Sequence, residues 1–350
     1  MNWTGWQEPG RSALAIVIWL EADSMKEPDQ HMPLESKRYY RLLWLGRAVI
    51  TSGLVAYLGW RLYGEMAGIH LHLARPWFLA LALTCAVLGI LISARLWYGL
   101  ILPPIQVPFR QILAHYLNGL FWNNFLPTAF GGDAVRVLSL RHVIGQTDVV
   151  VNSVLLARLA GLWSIIILAC VTAQINAIHL GWQAGQLSLF VTIGALFLAI
   201  VGTFFLFGAT ITALVKRFPS SWTRWHASLH AYRQHKARLW QALGWAFAIQ
   251  MSAIAINIFA AQALDLSISP RELILCLPLI NLIALLPISI GGFGVREGSY
   301  VYFLGLFGIS VANAIVLALT VFAILTFVTG VGAGFFTLLI PSMKKISKFL

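Results

Sequence analysis

Charge is the scarcest thing in this chain. Asp, Glu, Lys and Arg together make up 10% of 350 residues, against roughly 25% in an average soluble protein. So thin a charged skin cannot cover a soluble particle in which 59% of residues are hydrophobic and mean hydropathy is +0.81. The same balance excludes disorder, collagen and coiled coil. Cysteine is nearly absent as well: Cys85, Cys170 and Cys276 stand singly inside apolar runs. With no CxxC spacing they offer neither a disulfide framework nor a thiolate metal site, and they read as packing residues. His226, His230 and His235 have no acid or cysteine close by in sequence, so no metal is expected. No Walker motif and no acidic pair occurs, so neither a nucleotide cofactor nor metal-dependent catalysis is expected. What remains is an all-α polytopic membrane protein.

The few charges are unevenly placed. Six of the twelve acids fall in the first 35 residues, and from residue 36 onward there are 22 basic against 6 acidic side chains. In a soluble chain the net charge of +12 would suggest nucleic acid. Here the basic residues flank apolar spans, so they orient the chain and meet anionic headgroups, and no nucleic-acid partner is expected. Charge-free stretches place full spans near 43–63, 77–101, 150–174, 188–214, 240–263 and 311–339. Lys37, Arg38 and Arg41 precede the first span. Lys216, Arg217, Arg224, Arg233, Lys236 and Arg238 crowd one connection, and Lys344, Lys345 and Lys348 mark the end. The positive-inside rule then puts both termini in the cytoplasm. The 216–238 connection reads equally as a solvated basic linker or as an interfacial amphipathic helix carrying Trp222, Trp225, Leu229 and Tyr232. Residues 1–40 form a poorly defined N-terminal extension, 41–340 the transmembrane domain, and 341–350 a basic cytoplasmic tail.

Two apolar segments, 111–126 and 272–287, are too short to span, and each closes on Leu-Pro followed by a glycine pair. They read as re-entrant half-helices. They also belong to an internal repeat. Phe125-Leu126-Pro127-Thr128-Ala129-Phe130-Gly131-Gly132-Asp133-Ala134-Val135-Arg136 aligns without gaps on Leu285-Leu286-Pro287-Ile288-Ser289-Ile290-Gly291-Gly292-Phe293-Gly294-Val295-Arg296, with six of twelve positions identical. Carrying that 160-residue offset along the chain superposes span on span. Each repeat (about 41–175 and 188–339) holds three full spans and one re-entrant pair. An odd number of crossings gives the second copy the opposite topology, an architecture that permits alternating access in transporters.

At each glycine-rich turn, Pro ends the incoming half-helix and the glycine pair lets the chain reverse. The outgoing half-helix is expected to begin near Asp133 or Phe293, with its positive end in the membrane. Arg136 and Arg296 sit in its first turn. A guanidinium there opposes the helix dipole, and an anion such as phosphate would satisfy both. Intramembrane ionisable residues are functional candidates by default. The candidate substrate-binding set is therefore Arg136, Arg158, Arg296, Asp133 and Glu297 with the glycines Gly131, Gly132, Gly291 and Gly292. The structural alternative is mutual pairing, Asp133 with Arg136 and Glu297 with Arg296.

These motifs carry a resemblance. Leu126-Pro127 through Gly131-Gly132-Asp133 to Arg136, Ser153-Val154-Leu155-Leu156-Ala157-Arg158-Leu159-Ala160-Gly161, and Leu286-Pro287 with Gly291-Gly292-Phe293-Gly294-Val295-Arg296-Glu297-Gly298 resemble the lysylphosphatidylglycerol synthase transmembrane family of bacteria and archaea, the flippase-like domain family. The resemblance spans about residues 40–340. It implies a protein of the bacterial inner membrane that moves a lipid or lipid-linked headgroup between leaflets, with two re-entrant regions around a central cavity. The residue before the Arg of the third-span motif is often acidic in that family and is Ala157 here. Arg158 is thus expected to lack a local carboxylate. The soluble aminoacyl-transferring domain of bifunctional members is not expected, since ten residues follow Ile340. The reading at this stage is a non-enzymatic flippase for an anionic lipid. An intramembrane lipid-phosphate transferase and a non-transporting partner of a lipid-synthesising enzyme are the alternatives.

Overall fold

A computed structural model describes residues 49, 52–60, 74–103, 105–124, 131–180, 193, 194, 196, 232, 234–285, 289 and 292–332. Every regular element among them is helical. Eight helices carry the fold: α1 (Pro76–Gly99), α2 (Phe109–Asn123), α3 (Gly131–Ile144), α4 (Thr147–Leu180), α5 (Lys236–Ala263), α6 (Pro270–Ala284), α7 (Val295–Gly305) and α8 (Val311–Phe327). α8 runs on into a π-helical turn, Val328–Gly332. Helices α1, α4 and α5, and α8 together with its π-helical turn, are long and apolar enough to cross a bilayer, at the places expected for four of the six spans. The span expected at 43–63 is helical over 52–60. The one at 188–214 lies almost wholly outside the described residues, as do the N-terminal extension, Gly291, the basic tail and most of the 216–238 connection.

Local chemistry sets the helix ends. Pro76 and Pro270 open α1 and α6, where a missing N–H costs nothing. The Ser269 hydroxyl accepts from Arg271 N, and Glu272 accepts from Ser269 N at 2.9 Å. Ser310 caps α8 in the same manner, accepting from Asn313 N at 3.3 Å. The short helices α2 and α6 hold 15 residues each, about 22 Å of helix against roughly 30 Å of hydrocarbon.

Helices α1 and α5 pack antiparallel along their whole length. Arg75 N donates to Ala263 O at 3.1 Å at one end, and Arg238 Nη1 donates to Gly99 O at 3.1 Å at the other. Midway, the Ser252 hydroxyl donates to Cys85 O at 2.7 Å. A Cβ on Gly89 would stand 2.8 Å from that hydroxyl oxygen, so a larger residue there would have to turn the Ser252 hydroxyl away from Cys85 O. Buried Ala82, Ala86 and Ala94 on α1 and Ala242, Ala246 and Ala260 on α5 keep both helices slim. Lipid tails are as apolar as a protein core, so membrane helices associate through such close contact rather than hydrophobic drive.

The main core surrounds α6. Leu273, Leu277, Leu279 and Ile280 are fully enclosed, packed with Ile166 and Ala169 of α4, Phe303 and Leu304 of α7, and Leu317 of α8. Two amides of this core find partners across helices. Asn176 Nδ2 donates to Leu275 O at 3.3 Å, and Tyr300 Oη donates to Asn257 Oδ1 at 2.6 Å. Cys85, Cys170 and Cys276 are free packing residues, the last with its thiol donating to Phe303 O at 3.4 Å.

Candidate functional site

Helix α2 ends at Asn123, and α3 returns beside it from Gly131. The two backbones nearly touch. A Cβ on Gly132 would lie 2.5 Å from Gly119 O, and one on Gly119 would lie 2.6 Å from Gly132 O and 2.6 Å from Arg136 Nε. The glycine pair of this turn is already helical, and Gly132 is required by close approach rather than by reversal of the chain. α3 accordingly starts two residues before Asp133, earlier than the turn chemistry suggests.

That contact seats Arg136. Its Nη1 pairs with Asp133 Oδ1 at 3.0 Å, one helical turn back, and its Cζ lies 3.9 Å from the centre of the Tyr116 ring on α2. The Nε is buried with no hydrogen-bond partner among the described residues. The other oxygen of Asp133 accepts from Arg158 Nε on α4. Arg158 therefore does have a carboxylate partner. It comes from a neighbouring helix instead of position 157, which a reading along the chain cannot see. Among the described residues one carboxylate answers two guanidiniums, leaving an excess positive charge there. Arg158 is the more open of the pair, with 40% of its side chain accessible against 15% for Arg136.

These groups face a cavity of about 230 Å³. Asn123, Gly132, Asp133, Arg136, Ala157 and Arg158 form its polar and small-residue wall, and Ser93, Leu96 and Trp97 of α1 with Ile249 of α5 form the opposite side. Trp97 is held there by its indole N–H, which donates to Ser153 Oγ at 3.0 Å. Trp97, Tyr116 and Ser93 belong to this site and carried no motif. Only their i, i+3, i+4 spacing along apolar helices could have marked them, and core residues share that spacing.

The second glycine turn is built otherwise. Gly292 and Gly294 have φ of +76° and +82°, so here the glycines do supply the left-handed backbone that reverses the chain. α7 starts at Val295, two residues after Phe293. Glu297 Oε2 accepts from Gly294 N at 2.7 Å, and Glu297 Oε1 accepts from Arg296 Nε at 3.1 Å. Arg296 Cζ lies 4.6 Å from the centre of the Phe322 ring. Arg296 and Glu297 thus form a closed, neutral pair, and neither lines the cavity that holds Arg136 and Arg158. At both turns the positive helix end is answered by a carboxylate in the first turn, Asp133 or Glu297. An incoming anion would rely on the guanidiniums more than on the helix dipole.

Asn124 at the end of α2 joins the two halves. Its Nδ2 donates to Thr329 Oγ1 at 3.0 Å in the π-helical turn after α8. Turns of this kind are frequent at functional sites.

No curated protein and no solved structure matches the chain significantly. The family described as lysylphosphatidylglycerol synthase TM region matches residues 30–333. With its apolar helices and a match over most of its length, the chain is an integral membrane protein and belongs to the lysylphosphatidylglycerol synthase transmembrane-region family.

Proposed function

We propose that this protein is a transporter of anionic lipid or lipid-linked headgroups between leaflets, with the phosphate held by Arg136 and Arg158 in the cavity against α1 and α5. The observation that carries the reading is the arrangement of two guanidiniums on one carboxylate, facing open space inside a bundle of apolar helices. Buried charge is costly in a membrane and is retained mainly where it meets a substrate or ion. A phosphate accepts from several guanidinium donors at once, and the excess positive charge attracts it. The lipid tails would remain in hydrocarbon while the headgroup crosses. Asp133 would hold the two side chains apart and in register. No chemical step is assigned to this chain.

The architecture proposed is an inverted-topology repeat in which α2–α3 and α6–α7 are re-entrant pairs. The 160-residue offset carries the starts of α1, α2, α3 and α4 to within four residues of those of α5, α6, α7 and α8. The antiparallel crossing of α1 and α5 near Gly89 and Ser252 suits a pseudo-two-fold axis in the membrane plane. On that reading the termini and the end of α5 carrying Lys236 and Arg238 face the cytoplasm. Arg296 and Glu297 belong to the opposite opening and serve the exposed state of that side.

Reconstitution tests the reading. In liposomes holding a headgroup-labelled anionic phospholipid, the wild-type chain should speed equilibration of label between leaflets, measured by quenching from outside. Arg136→Ala and Arg158→Ala should return the rate to that of protein-free liposomes, while Arg75→Ala, outside the cavity, should not. Wild-type rates in the cavity variants would remove the assignment. Metal-dependent turnover of a lipid phosphate by the purified chain would favour a transferase instead.

A further inference from the structure

A second cavity lies where α1 ends and α5 begins. It measures about 800 Å³ and is bounded by the last turn of α1, the 101–108 connection and the first turns of α5. Arg95 and Arg238 line it with Tyr98, Gln106, Gln241 and Trp245, and no acidic residue lines it among the described residues. Both guanidiniums reach the same glycine. Arg238 Nη1 donates to Gly99 O at 3.1 Å, and Arg95 Nη1 lies 4.0 Å from where a Cβ on Gly99 would stand. Arg95 also sits over two rings, 5.1 Å from the centre of Tyr98 and 5.9 Å from that of Trp245. It makes no hydrogen bond or ion pair among the described residues. Two like charges line one groove, and a low dielectric strengthens their mutual repulsion.

We propose that this groove is a headgroup site for an anionic phospholipid, separate from the Arg136 and Arg158 cavity. A guanidinium offers five donors in a fixed fork; Arg238 spends one on Gly99 O, and Arg95 has its fork available. A phosphodiester between them relieves the repulsion and accepts from both. The surroundings select a lipid over a free anion. Leu91 and Leu88 lie one and two turns above Arg95 on the same face of α1, and both are exposed. Acyl chains would run along them from a headgroup at Arg95. Tyr98, Trp240 and Trp245 cluster at this end of the pair and Trp77 stands at the other end of α1, as aromatic residues do at the two faces of a bilayer. Leu96 is a wall residue of both cavities, so a lipid held in the groove is one side chain away from the inner site. The proposal concerns binding, and it holds whether or not the inner cavity transports.

The test is a titration of the purified full chain in non-ionic detergent with a short-chain phosphatidylglycerol, read by native mass spectrometry alongside melting temperature. Arg95→Gln and Arg238→Gln should each weaken binding of one equivalent of lipid about tenfold, roughly the loss of one charge-assisted contact. Arg136→Gln combined with Arg158→Gln should leave that equivalent in place. Arg238→Lys keeps the charge and should recover part of the binding. Should Arg238→Gln fail to fold, Arg95→Gln decides alone, since Arg95 is exposed. Unchanged binding by a folded Arg95→Gln would overturn the proposal. So would equal binding of zwitterionic phosphatidylcholine, or complete displacement by millimolar inorganic phosphate. A transport defect confined to the Arg136 and Arg158 variants leaves the groove untouched, so the two readings fail separately.

Discussion

The two glycine turns share Leu, Pro, two glycines, Val and Arg at matching positions, yet they solve different problems. At the first, Gly132 sits inside a helix and lets α3 lie against α2. At the second, Gly292 and Gly294 hold a left-handed backbone, and α7 starts after them. The arginines diverge likewise. Arg136 shares Asp133 with Arg158 from another helix and faces a cavity, whereas Arg296 closes on its own neighbour Glu297. Equal motifs therefore mark equal places in the chain rather than equal sites. The first half carries spare charge at its turn, and the second half is neutral there.

The largest effect that would break this contrast is steric. Gly119→Ala places a methyl against Arg136 and 2.6 Å from Gly132 O. Backbone cannot yield as a side-chain tip does, so α2 and α3 must separate. Lipid transport should fall to background with melting lowered by several degrees, a cost on the order of 2–3 kcal/mol. Gly298→Ala on α7 meets nothing within 4 Å and should leave transport near wild type, with stability equal or slightly raised through helix propensity. Equal damage from both would show that the close approach is not specific to the first turn.

The carboxylates come next. Glu297→Gln removes the negative charge that pairs with Arg296 and leaves one accepting oxygen where two served Gly294 N and Arg296, at a position 7% accessible. Stability should drop by about 2 kcal/mol, less than for a fully buried ion pair because Arg296 is 24% accessible, while affinity of the inner cavity for lipid stays unchanged. Asp133→Asn should do the reverse. Arg158 is partly accessible, so the loss of stability is screened and smaller. The cavity then keeps two guanidiniums with no carboxylate among its described lining residues, so anionic lipid should bind more tightly and leave more slowly. Higher affinity with slower transport separates this variant from a merely damaged one.

Much of the fold was legible because its signals are local. Four spans fell where charge-free runs placed them, and α2 and α6 occur at the two short segments ending in Leu-Pro. The pairings of Asp133 with Arg136 and Glu297 with Arg296 were also readable, since the partners are three residues apart or adjacent. What escaped was everything that depends on one helix meeting another. Arg158 reaches Asp133 from α4, Tyr116 lies under Arg136 from α2, and Phe322 lies under Arg296 from α8. None of these contacts has a spacing along the chain. That Arg296 does not line the cavity of Arg136 was hidden for the same reason, because matching positions in a repeat need not share a cavity.

Gly292→Ala probes the backbone half of the comparison. Its φ of +76° disfavours any L side chain by about 1–2 kcal/mol, and nothing within 4 Å would clash with the new methyl. A loss of that size is expected in chemical denaturation. Gly132→Ala has ordinary helical backbone but would meet Gly119 O at 2.5 Å, and its loss should be larger. If Gly292→Ala proves the more damaging, strain rather than close approach governs both turns.

The smallest effect concerns the rings beneath the two arginines. Tyr116 stands 3.9 Å from Arg136 Cζ and Phe322 stands 4.6 Å from Arg296 Cζ. Such contacts contribute about 0.5–2 kcal/mol, more when desolvated. Tyr116→Leu and Phe322→Leu both keep an apolar side chain and remove the π face. Each should lower stability by about 1 kcal/mol, but their functional consequences should differ. Arg136 faces the cavity, so a loosened guanidinium there should weaken lipid binding several-fold. Arg296 is anchored by Glu297 through its Nε, so its ring can be removed with lipid affinity held. Ring contacts would then tune ligand binding only where the arginine has positive charge left to offer, and equal loss of affinity in both variants would contradict the division between the two turns.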